Sequence, residues 1–107
     1  MMSEDDVLGL IAGLDRARLR RWVRQGWVRP DMRGTETGYR DVDVARVRLI
    51  VEIREELAVE PENVPLVLSL IDQVHGLRRE LRKLAEAVDA QPAAVRRQII
   101  LRLEGGT

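Results

Sequence analysis

The chain of 107 residues has no cysteine, no phenylalanine, one histidine, one tyrosine and two tryptophans. Without cysteine there is neither a disulfide framework nor a thiolate zinc site. His75, alone, excludes a histidine-rich metal centre, and no partner visible in the sequence makes it a pH switch. It reads as a solvent-facing helix residue beside Gly76. Three aromatic side chains are too few for the base-stacking platforms that bind single-stranded nucleic acid. No apolar run approaches the roughly 20 residues that span a bilayer, and no basic start precedes an apolar N-terminal core. The expected compartment is the cytoplasm, at the nucleoid if the chain binds DNA.

Chemistry is equally sparse. There is no glycine loop of P-loop spacing, no cysteine nucleophile, and no Ser or Asp arrangement around the histidine. The expectation is a protein with no catalytic residues, no metal and no cofactor.

Charge is present in quantity but cancels, with 18 basic against 18 acidic side chains. Its distribution is uneven. Residues 15–40 hold eight arginines (16, 18, 20, 21, 24, 29, 33 and 40) against three acids, while residues 41–107 hold 10 basic groups against 12 acidic ones. The first half therefore offers a basic surface and the second a slightly acidic one.

Ser3 followed by Glu4, Asp5 and Asp6 suits the start of a helix, because carboxylates complement the N-terminal dipole. Val7, Leu8, Leu10 and Ile11 give that helix a buried face, and Gly13 is its expected end. Asp15 caps a second helix to about Gln25, with Gly26 as its stop. Leu19, Trp22 and Val23 share one side of it. Arg20, Arg21 and Arg24 point away, with Arg18 at the border. Trp22 reads as core; Trp27 is either core or an exposed contact. Trp27-Val28-Arg29 and a segment near Thr37–Arg40 are expected to pair as two short strands, punctuated by Pro30, Gly34 and Gly38. Asp41 or Asp43 can cap a third helix to about Leu57, and Glu60-Pro61-Glu62-Asn63 opens the next segment.

From Leu66 to about Ala90 the pattern is that of one long helix. Leu70, Val74, Leu77, Leu81, Leu84 and Val88 alternate four- and three-residue steps, an unbroken heptad seam. Such a seam needs a partner surface, and a second copy of the chain is expected to supply it, the alternative being the helix's own domain. Gln91-Pro92 breaks the helix, and residues 93–103 form a last amphipathic one. The expected division is a winged helix-turn-helix over residues 1–64 and a helical dimerisation region over 65–107.

This mainly α layout resembles the MerR-like superfamily, in which a winged helix-turn-helix with a small β-wing precedes a dimerising coiled coil. The likeness rests on Leu19-Arg20, Gly26, Pro30, Gly38-Tyr39-Arg40 and the run Asp43 to Ile50. Within that superfamily the chain looks most like the chaperone-modulator proteins called CbpM. Here the matching stretches are Gly26 to Pro30, Arg54 to Val59 and Val64 to Asp72. The resemblance covers residues 13–90 and implies a homodimer that binds the J domain of a DnaJ- or CbpA-like co-chaperone. By occupying that domain it would limit access to the Hsp70 partner. The chain departs from those modulators in its second helix, which is arginine-rich where theirs is acidic.

Two surfaces follow. Glu52, Glu55, Glu56, Glu60, Glu62 and Asp72 gather around the junction of the third and fourth helices. An acidic patch there suits the basic helix that J domains present. Arg16, Arg18, Arg20, Arg21 and Arg24, with Arg33, Tyr39 and Arg40 from the wing, form the alternative surface. They would meet the phosphates of double-stranded DNA in a MerR-like transcriptional regulator.

Overall fold

The computed structural model describes residues 1–105. In chain order the described elements are α1 (Glu4–Leu10), α2 (Arg16–Arg24), β1 (Asp31–Arg33), β2 (Glu36–Gly38), α3 (Asp41–Glu55), a 3-10 turn (Pro61–Asn63), α4 (Val64–Asp89) and α5 (Ala93–Gly105). The chain divides into two compact units, Met1–Val67 and Leu68–Thr107. Together the elements make the mainly α winged helix-turn-helix with a long C-terminal helix that the sequence pattern implies.

In the first unit, α1 begins with a reciprocal cap. The Asp6 backbone N–H donates to the Ser3 hydroxyl, and the Ser3 N–H donates to the Asp6 carboxylate. This satisfies two of the donors every helix start leaves open. The residue before the cap is fixed too, because Met2 forms an isolated antiparallel bridge with Tyr39. Its two backbone hydrogen bonds are 2.9 and 2.7 Å long. The helix ends at Leu10, earlier than Gly13; that glycine instead takes the left-handed turn (φ +78°) leading to α2. The Arg18 N–H donates to the Asp15 side chain at 2.8 Å, capping α2.

At the other end of α2 the chain reverses through Gly26 at φ +76°. The Gly26 N–H donates to the Val23 carbonyl and the Trp27 N–H to the Trp22 carbonyl. This is the Schellman arrangement, in which the left-handed residue lets two orphan carbonyls find donors. The same turn folds Trp27 back on Trp22, with ring centroids 6.4 Å apart and planes 26° from parallel.

That turn corrects the expected first strand. Trp27-Val28-Arg29 is not a strand, because the Trp27 N–H is consumed by the helix stop and Val28 turns into the core. The wing starts at Asp31 instead, pairing Asp31 with Gly38, Met32 with Thr37 and Arg33 with Glu36. Gly34 (φ +64°) opens its two-residue loop, where a left-handed residue matches the twist of the strands.

The N-cap of α3 is Arg40, and neither Asp41 nor Asp43 holds that position. Asp43, buried in the first turn, accepts from the Arg40 backbone N–H at 2.9 Å and from its guanidinium at 3.0 Å. The core of this unit gathers Val7, Ile11, Leu19, Trp22, Val28, Tyr39, Val44, Val47, Ile50, Ile53 and Val64.

α3 closes through Ala58, whose φ of +52° is left-handed without being glycine. Around it the Val59 N–H donates to the Ile53 carbonyl at 3.1 Å, and Arg54 donates to the Val59 carbonyl.

The second unit holds most of α4, then a break at Gln91-Pro92, then α5. Arg96 ties the break together by donating to the Asp89 carbonyl at 3.2 Å. Along α4 the heptad positions Leu70, Val74, Leu77, Leu81 and Leu84 are all exposed, Leu77 by 65%, and Val88 is half-buried. No helix among the described residues is long and apolar enough to cross a membrane.

Candidate functional site

The two surfaces named above differ in how their charges are already used. On the basic face, Arg16 and Arg20 one turn apart on α2 both reach the first turn of α1. Arg16 pairs with Glu4 and with Asp5. Arg20 pairs with Glu4, its Nη2 at 3.1 Å and its Nε donating at 3.2 Å. Partial burial would raise the Glu4 carboxyl, but the Arg20 and Arg16 hydrogen bonds outweigh it and hold the group below its ordinary range. Glu4 is therefore a fixed negative charge at neutral pH.

Arg18 is engaged on three sides. It donates to the Gly13 carbonyl at 2.8 Å, pairs with Glu55 at 3.0 Å, and sits 5.1 Å from the centre of the Trp22 ring. A guanidinium over an indole face gains from the ring quadrupole. Arg40 is committed to Asp43 and to the Arg29 carbonyl at 3.1 Å. Tyr39 is buried, and that burial, helped by the charges of Glu4 and Asp43, raises its hydroxyl above the ordinary range. Among the described residues this leaves Arg21 and Arg24 on α2 and Arg33 on the wing as exposed candidates with no ion pair.

The acidic junction is the reverse. Glu52, Glu55 and Glu56 lie on one face of the end of α3, and Glu60 and Glu62 follow in the connection to α4. All five are exposed, and only Glu55 has an ion pair among the described residues. The same stretch carries two large apolar side chains that the sequence did not mark as site residues, Leu57 and Leu66, exposed by 66% and 60%. Their signal is visible in retrospect. Leu57 falls in the turn that ends α3, and Leu66 in the first turn of α4, where Val64 and not Leu66 is the buried residue. Asp72 belongs to the second unit and is already engaged in an interaction. Glu4 and Asp5 were also missed as site residues, because helix-start acids read as dipole partners until α2 is packed beside them.

These elements stand in the order that defines one family. A profile of the MerR helix-turn-helix regulatory proteins matches residues 8–86. The chain belongs to that family. The match takes in α2, the hairpin, α3 and the seam as far as Leu84, and leaves out Glu4, Asp5 and all of α5. No curated protein and no solved structure matches the chain. Among the described residues, no group of three or more His, Cys, Asp or Glu side chains is placed to hold a metal ion.

Proposed function

We propose that this family member regulates by protein contact, as a CbpM-like modulator that binds the J domain of a DnaJ- or CbpA-like co-chaperone and inhibits it. The observation that carries this reading is the contrast in free charge. Arg16, Arg18, Arg20 and Arg40 of the basic face are spent on Glu4, Asp5, Glu55 and Asp43. Glu52, Glu56, Glu60 and Glu62 at the α3–α4 junction remain exposed without ion pairs among the described residues. Free carboxylates on the same stretch of chain as the exposed Leu57 and Leu66 would suit a basic amphipathic helix. The apolar pair supplies burial and the charges supply orientation and rate. The mechanism is steric, with the J-domain face otherwise offered to Hsp70 being covered.

Residues 1–64, with Leu66 just beyond them, would carry this surface, and residues 65–107 would join two copies through Leu70, Val74, Leu77, Leu81, Leu84 and Val88, in the cytoplasm. Calorimetric titration with the isolated J domain of the host's co-chaperone tests the reading. We expect a saturable complex that Glu56→Lys with Glu60→Lys weakens at least about tenfold, the scale of one lost charge-assisted contact. Arg21→Ala with Arg24→Ala should leave it intact. No complex, or one indifferent to the charge reversal, would sink the proposal.

A second reading has its own observation. Arg21, Arg24 and Arg33 are exposed and without ion pairs among the described residues, on the helix and wing that this fold brings to DNA. On that reading the chain is a dimeric transcriptional regulator of double-stranded DNA.

A further inference from the structure

The first turn of α1 does something to α2 that the family match, which begins at residue 8, does not contain. Its carboxylates lie along an open cleft of about 650 Å³ between α1, α2 and the hairpin, lined by Arg16, Arg20, Arg24 and Thr37 among others. We propose that Glu4 and Asp5 are a built-in phosphate mimic. They occupy the positions on Arg16 and Arg20 that backbone phosphates of duplex DNA would take, and hold the basic face in a masked state. The proposal rests on the second reading, that the α2 face meets DNA, and adds its regulation.

Three features make the contact a built one. Glu4 accepts from two guanidiniums at once, so removing it releases Arg20 and leaves Arg16 held by Asp5 alone. The turn carrying it is held on either side without help from the arginines, by the Met2–Tyr39 bridge before it and the Ser3–Asp6 cap around it. The Glu4 side chain is four-fifths covered, whereas Asp5 is exposed and completes the pairing with Arg16 from outside. A carboxylate pair of this kind competes with phosphate for the same donors. A protein that must break such contacts before neutralising phosphates binds more weakly, and with a shallower salt dependence, than its arginine count implies.

The experiment is fluorescence anisotropy of the full chain with a labelled duplex of about 30 base pairs, long enough for two half-sites one turn apart. Titrations run from about 50 to 200 mM salt, the range over which phosphate contacts are resolved. Wild type is compared with Glu4→Gln/Asp5→Asn, which keeps the side-chain shapes and removes the charges. We expect the variant to bind at least about tenfold more tightly at the low-salt end. The slope of log affinity against log salt should steepen by about 2 per protomer, as two more phosphates are engaged. Asp5→Asn alone, a surface change that leaves the Glu4 contacts in place, should give part of the gain. Equal affinity and slope in wild type and variant would overturn the mask. If that shared affinity is lost in Arg21→Ala/Arg24→Ala, the DNA reading survives without it. If no form of the protein binds the duplex, the mask and the DNA reading fall together.

Discussion

One backbone angle at the end of α3 is out of place for the residue that has it. Ala58 sits at φ +52°, where a Cβ crowds the following carbonyl at a cost of about 1–2 kcal/mol that glycine does not incur. Ala58→Gly should therefore stabilise the fold. The gain is expected near 1 kcal/mol after the extra freedom glycine gives the unfolded chain is set against the relief. In a thermal melt that is a rise of several degrees. A fall in melting temperature would show that the methyl group contributes more by packing than its conformation costs. The turn stands in the acidic junction, so its rigidity also fixes how Leu57 and Glu56 are presented.

At the scale of elements, periodicity carried most of the fold, since apolar residues at helical spacing mark which sides of α2, α3 and α4 can be covered. What escaped was decided by hydrogen bonds between segments. Trp27-Val28-Arg29 has the β-branched and aromatic content of a strand, yet its first N–H already belongs to the stop of α2. The cap of α3 was misplaced because an arginine has no acceptor to cap with; Asp43 does the work from three residues on. The basic face was legible as a run of arginines, but its partial neutralisation was not, because Glu4 and Asp5 reach it only when α1 lies against α2. That contact predicts a pH dependence. Glu4 has a folded-state value lowered relative to the unfolded chain. Its contribution is present above the unfolded value near 4.5 and is lost as pH falls through the lower folded one. Tyr39 is raised, so its contribution is whole below about 10 and declines as pH climbs through the folded value. Urea midpoints measured across pH should show both limbs, and Glu4→Gln should flatten the acidic one while only reducing the alkaline one, which burial of Tyr39 leads and the Glu4 charge assists.

For the whole molecule, the question is what covers the seam on α4. From Leu70 to Val88 it extends about 27 Å at the helical rise, with five of its six side chains exposed on one chain. On the proposal of a homodimer, light scattering should give twice the mass of one chain, and the melting temperature should rise with protein concentration. Leu77→Glu with Leu81→Glu should give a protein of single-chain mass whose first unit is still folded. A wild-type protein of single-chain mass would remove the dimer from both functional readings. The first unit has a further property that bears on how such regulators diverge. Since the Ser3–Asp6 cap and the Met2–Tyr39 bridge secure the start of α1 unaided, residues 4 and 5 are left at liberty to change. On the proposed mask, two codons would set how much of the arginine surface is on offer, and lineages descended from such a chain would drift between reading nucleic acid and ignoring it while the scaffold stays the same.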